Sequence, residues 1–91
     1  MKHNTYFDSK VQSLGLNTAK GPATVGVMEK GTYQFNTSTP EVMVVVSGIM
    51  NIKQPGTDWV KYTEQGEFKV PANITFEAAC DTDVAYICYY G

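Results

Sequence analysis

The sequence predicts a single all-β domain, and three observations carry that prediction. No stretch after residue 10 keeps a helical period of apolar residues. Short runs rich in Val, Ile, Thr, Tyr and Phe recur instead, broken at close intervals by Gly, Pro, Asn and Asp. About nine such runs, joined by tight turns within 91 residues, suggest a jelly roll or a related closed sandwich.

Residues 1–9 are polar and terminal, so they are expected to be loosely ordered. The first strand is placed near Lys10–Leu14 and the second at Ala23–Glu29, which ends on the Lys30-Gly31 turn. Thr32–Asn36 follows, then Glu41–Ser47, closed by Ser47-Gly48. Ile49–Lys53 runs into Pro55-Gly56-Thr57-Asp58, a four-residue turn signature, and Trp59–Tyr62 leads out of it. Gln65-Gly66 separates that strand from Glu67–Val70, and Pro71-Ala72-Asn73 separates Glu67–Val70 from Ile74–Ala78. Cys80-Asp81-Thr82-Asp83 precedes the last strand, Val84–Tyr90. Neither a linker nor a repeat interrupts the series, so residues 1–91 read as one domain.

Side-chain alternation assigns faces. On Glu41–Ser47 one face carries Glu41, Met43, Val45 and Ser47, and the other carries Val42, Val44 and Val46. A strand that is apolar on both faces needs cover on both, and in a chain this short the economical cover is a second copy. A homodimer is therefore expected. Val84–Tyr90 places Val84, Tyr86, Cys88 and Tyr90 on one face, where the phenols suit a pocket wall or a seam better than a dry core.

Charge narrows the partners. Seven lysines, no arginine and nine acidic residues leave a net charge of -2, which argues against a nucleic-acid surface. No run approaches the roughly 20 apolar residues of a membrane helix, and MKHNTYFDSK lacks the apolar core of a signal peptide, so a cytoplasmic location is expected. Cys80 and Cys88 are too far apart for a CxxC pair and read as small buried thiols. His3, the sole histidine, falls in the polar terminal segment, away from any catalytic pattern.

The segment around Glu41 carries the chemistry. In cupins, small jelly-roll barrels, two histidines separated by one residue precede a glutamate, and a glycine follows that glutamate after six residues. Glu41 and Gly48 reproduce the second half of this motif, but the histidine positions fall on Phe35 and Thr37, or on Gln34 and Asn36. The second cupin motif resembles Gly66-Glu-Phe-Lys-Val-Pro-Ala-Asn-Ile-Thr-Phe76, with Asn73 for the turn glycine and Phe76 for the third histidine. One carboxylate cannot hold a transition metal by itself, so a metal-free, cupin-like barrel is expected. Phe35 or Phe76 beside Glu41, Thr37 and Asn73 suits a planar heterocycle joined to a hydroxylated group.

The chain also resembles the small pyrimidine/purine nucleoside phosphorylases of bacteria. The resemblance rests on Ala23-Thr-Val-Gly-Val-Met28, Tyr33-x-Phe35-x-Thr37, Pro40-Glu41-x-Met43, Val46-Ser-Gly48, Val70-Pro-Ala-Asn73 and Tyr86-x-Cys88-x-Tyr90, taken in order. It implies a cupin-like homodimer that splits ribonucleosides with phosphate into free base and α-ribose 1-phosphate, tolerates many bases and serves nucleoside salvage, with no cofactor beyond the phosphate co-substrate. One position departs from the pattern: Pro22 stands where an arginine commonly precedes the Ala-Thr-Val-Gly string, and a guanidinium would clamp phosphate in a bidentate way.

Phosphorolysis of an N-glycosidic bond passes through a sugar with cationic character, so a site must hold phosphate, support that charge and release the base. Under this reading Glu41 faces the developing cation and accepts from ribose hydroxyls. Asn73 or a tyrosine donates to the leaving base. Phe35, Phe76 or Tyr86 stacks on the base, with Tyr33 and Thr37 as further substrate contacts. Thr24, Ser47, Lys20, Lys30 and backbone N–H groups are the candidates for phosphate. The alternative is a cupin-like protein that binds a small heterocyclic or hydroxylated ligand without turnover.

Overall fold

The computed structural model describes residues 1–90, which form ten strands and no helix. In chain order these are β1 (Lys2–Tyr6), β2 (Val11–Thr18), β3 (Gly21–Met28), β4 (Gly31–Asn36), β5 (Glu41–Ser47), β6 (Met50–Lys53), β7 (Val60–Tyr62), β8 (Glu67–Val70), β9 (Thr75–Cys80) and β10 (Val84–Tyr90). A six-stranded sheet in the order β1-β2-β3-β10-β5-β8 packs on a four-stranded sheet in the order β4-β9-β6-β7. Every pairing is antiparallel. The result is the all-β, cupin-like jelly-roll barrel expected from the sequence.

One expectation fails at the N-terminus. The segment read as loosely ordered forms β1, which pairs in register with β2 from Lys2↔Gly15 to Tyr6↔Val11. Its polar composition hid the strand, because β1 is an edge that needs only one bonded side. Asn4 Nδ2 donates to Ser13 Oγ over 3.3 Å, and His3 Nε2 lies 3.0 Å from Gln12 Oε1, so polar side chains stitch the pair.

The core lies between the sheets and follows the predicted alternation. Met43 and Val45 of β5 and Val84, Tyr86 and Cys88 of β10 are buried against Met50 and Ile52 of β6 and Phe76 of β9. Each fully buried Val, Ile or Met stabilises the fold by about 1.5–3 kcal/mol relative to exposure. Tyr86 needs a flat neighbour. A Cβ at Gly26, its cross-strand partner, would lie 2.4 Å from the Tyr86 ring, so only glycine lets the ring lie against β3.

Alternation breaks once, near the end of β5. Tyr86 pairs with Val45 and Ala85 pairs with Ser47, leaving Val46 as the extra residue of a β-bulge. The bulge turns Ser47 to the outer face beside Ala85, although strict alternation placed it with Glu41. Gly48 then takes φ +95° to lead the chain into the second sheet, and a Cβ there would lie 3.0 Å from the Asp83 carbonyl oxygen.

Candidate active site

A cavity of about 590 Å³ opens between the sheets where β5 begins and β10 ends. That volume is in the range of small-molecule pockets. Its wall draws Ser13 from β2, Thr24 from β3, Gln34, Phe35 and Asn36 from β4, Glu41 and Met43 from β5, Phe76 from β9, and Tyr86, Cys88 and Tyr90 from β10. Ser38 and the turn residue Phe7 complete it with Tyr6 of β1.

Phe35 and Phe76 meet as a cross-strand pair, with ring centroids 5.5 Å apart and planes inclined by 30°. On the alignment that uses Phe35, two of the three positions at which a metal-binding cupin presents imidazoles therefore come together in space and hold an aromatic wall. Phe7 adds to it, edge-on to Phe35 at 5.7 Å and tilted against Tyr33 at 5.0 Å. Among the described residues no cluster of three His, Cys, Asp or Glu side chains is placed to hold a metal ion.

Glu41 opens β5 and lies opposite Tyr90 on one side and Val70 on the other. Its carboxylate is half-buried, and burial holds its pKa above the ordinary 4.5. Cys88 Sγ donates to Glu41 Oε1 over 3.3 Å and works in the opposite direction by favouring the ionised form. Burial first, and then the neighbouring Glu41 charge, push the Cys88 thiol up to about 12, so it stays protonated as a donor. Burial likewise raises the phenols of Tyr86 and Tyr90 well above the usual range. Tyr90 OH shares a hydrogen bond of 3.0 Å with Thr24 Oγ1, which anchors the phenol beside the carboxylate.

Of the residues singled out from sequence, the cavity brings together Thr24, Phe35, Glu41, Phe76 and Tyr86. The others sit elsewhere for identifiable reasons. Asn73, expected near the leaving base, takes φ +60° at the turn after β8, and its N–H donates to the Thr37 carbonyl over 3.0 Å. Thr37 Oγ1 donates to Pro71 O over 2.7 Å and accepts from Ile74 N over 3.2 Å, so this hydroxyl clasps two loops. Tyr33 OH donates to Glu29 O over 2.7 Å, away from the cavity, while its ring backs Phe7 and Phe35. Ser47 is turned outward by the bulge. Neither lysine named for phosphate lines the cavity: Lys20 Nζ lies 5.2 Å above the Tyr89 ring, and Lys30 N donates to Asp83 Oδ1 over 2.9 Å.

Sequence reading missed several wall residues. Cys88 and Tyr90 were on the same face as Tyr86 by alternation, and only their depth in the barrel was hidden. Tyr6 and Phe7 had no such signal, because their arrival depends on β1 pairing with β2 and on the turn that carries Phe7 at φ +53°.

Comparison with known proteins agrees with this architecture. A Vibrio parahaemolyticus protein of unknown function superimposes with a TM-score of 0.92 at 41% identity, covering 96% of this chain and 94% of that one. An RmlC-like cupin from Shewanella frigidimarina shares the fold, with a TM-score of 0.73 at 18% identity over 96% of this chain and 79% of its own. A Pseudomonas fluorescens protein named pyrimidine/purine nucleoside phosphorylase is 47% identical over 90 residues, covering 98% of this chain and 96% of the relative. The profile of that family matches residues 1–90. On profile and full-length identity together, the chain belongs to the pyrimidine/purine nucleoside phosphorylase family.

Proposed function

We propose that this protein cleaves purine and pyrimidine ribonucleosides with phosphate, without a metal, giving free base and α-ribose 1-phosphate, and that it does so with broad tolerance for the base as a cytoplasmic homodimer in nucleoside salvage. The observation that carries the reading is the placement of Glu41 in the same cavity as the Phe35–Phe76 wall. The wall offers a π-face, which every nucleobase can stack on, so it discriminates weakly among bases. Glu41 supplies negative charge where the sugar becomes cationic. The hydroxyls of Ser13, Thr24 and Ser38 and the amides of Gln34 and Asn36 are the polar groups available to ribose and phosphate.

The homodimer reading gains support from the outer face of the six-stranded sheet. Leu14, Val25, Ile87 and Val44 form one cross-strand row there, with Glu67 at its β8 end. Val25 is 45% exposed and Val27 54%. Glu67 and Lys69 provide both charge signs at the β8 edge of that face, which suits self-complementary docking about a two-fold axis.

The test is incubation with inosine, uridine and cytidine, with and without phosphate. Base release that requires phosphate, together with ribose 1-phosphate, supports the reaction. Release that ignores phosphate identifies hydrolysis, and no release favours the second reading, ligand binding without turnover. One observation favours that second reading: among the described residues no cationic side chain lines the cavity.

A further inference from the structure

The charge balance of the cavity is unusual for a site that handles an anion. Six aromatic residues, Tyr6, Phe7, Phe35, Phe76, Tyr86 and Tyr90, line the cavity together with a single carboxylate, that of Glu41, and no lysine or histidine side chain joins them among the described residues. That carboxylate is half-buried, and the one side-chain hydrogen bond it accepts comes from a thiol at 3.3 Å. A thiol is a weak donor, so the charge is poorly compensated within the protein. Aromatic faces attract cations through their quadrupole, most strongly where water is thinned out. Rings and carboxylate therefore both favour a planar positive charge.

The leaving-group chemistry points the same way. When the glycosidic bond of a neutral nucleoside breaks, its electron pair stays on the base nitrogen, and the base needs a proton to depart as a neutral molecule. The groups at hand supply one poorly: the Tyr86 and Tyr90 phenols and the Cys88 thiol all have their pKa values raised by burial, and Tyr90 OH is already tied to Thr24. A base that is cationic before cleavage needs no such proton. Attack by a hydrogen phosphate dianion on the anomeric carbon forms the C–O bond as the C–N pair moves onto nitrogen. The products are a neutral base and a ribose 1-phosphate monoanion, so charge and atoms balance without the protein donating a proton. The substrate cation also offsets the phosphate charge beside Glu41.

We propose that the cavity selects ribosides of positively charged heterocycles, such as N-alkylated purines and pyridinium bases, over neutral nucleosides. This adds a charge preference to the phosphorylase reading on which it rests. The preference arises from the aromatic wall and from Glu41, whereas the reaction with phosphate is shared by both classes.

Cationic ribosides are intrinsically more labile, so recognition is best separated from reactivity by binding. Calorimetric titration with 1-methylnicotinamide, a planar cation, and with nicotinamide, its neutral counterpart, compares the two charges on one ring. The wild-type protein should bind the cation about tenfold more tightly, and Glu41→Gln should reduce the ratio to about threefold or less. Steady-state measurement with phosphate should then give a lower KM for nicotinamide riboside than for inosine. Equal or weaker binding of the cation by the wild-type protein overturns the proposal, with no variant needed. Cation preference without phosphate-dependent cleavage of either inosine or nicotinamide riboside would sink the reaction and leave the selectivity standing. Inosine cleavage without cation preference would do the reverse.

Discussion

The two faces of the six-stranded sheet are built from the same strands and neighbouring residues, yet they differ in kind. On the inner face of β10, Tyr86, Cys88 and Tyr90 converge with Thr24 and Glu41 on one cavity, where Tyr90 is bonded to Thr24 and Cys88 to Glu41. On the outer face, Ile87 sits in a row of aliphatic side chains and Tyr89 packs under Lys20. A strand in this position serves two partners at once: the second sheet inside, and by the homodimer reading a second copy outside. The inner face tolerates little change because it is closely packed and polar. The outer face is held by area alone, which is forgiving in the monomer.

Substitutions at four positions bear on that difference, and the largest effect is expected on the inner face. Glu41→Gln should lower kcat/KM for inosine by about 10²–10³ with unchanged circular dichroism, since it removes the charge and keeps the shape. A rate within a few-fold of wild type would take Glu41 out of the mechanism. Gly26→Ala drives a methyl into the Tyr86 ring and should cost about 1–3 kcal/mol of stability, read as a lower denaturant midpoint at unchanged slope.

The outer face should respond through assembly. Val25→Asp, at a side chain already 45% exposed, should move the monomer's own stability by only about 0.5 kcal/mol while shifting sedimentation at micromolar concentration from dimer to monomer. A wild-type protein that sediments as a monomer would remove the distinction between the faces.

The smallest effect concerns pH. If the ionised Glu41 is the active form, activity falls on acidification, and because burial raises its pKa the fall is centred above 4.5. Cys88→Ala removes a donor to the ionised carboxylate and should move that limb further up. Cys88→Ser should restore it, and a limb that stays in place in both variants would show that the thiol only fills space.

Much of the fold was legible in the sequence because its signals are local. Glu41–Ser47, Glu67–Val70 and Val84–Tyr90 stand at their predicted bounds, since apolar alternation and turn residues fix short antiparallel strands. β1 was not legible, because an edge strand of polar residues lacks the apolar pattern that marks a buried one. Ser47 was misplaced because a bulge depends on how two strands register, which neither encodes alone. Asn73 had a turn residue's tolerance of positive φ, and that backbone role proved to be where the structure uses it.

By itself, then, the sequence determined an all-β barrel, its family, and a glutamate at the head of β5 with phenylalanines in place of histidines. Tertiary structure alone decided that Phe35 and Phe76 face each other, that Phe7 arrives from the N-terminal hairpin, and that Cys88 is the side chain bonded to Glu41. The physical reason is range. Propensity and alternation act over a few residues, whereas the cavity joins residues from Tyr6 to Tyr90 that only sheet pairing brings together.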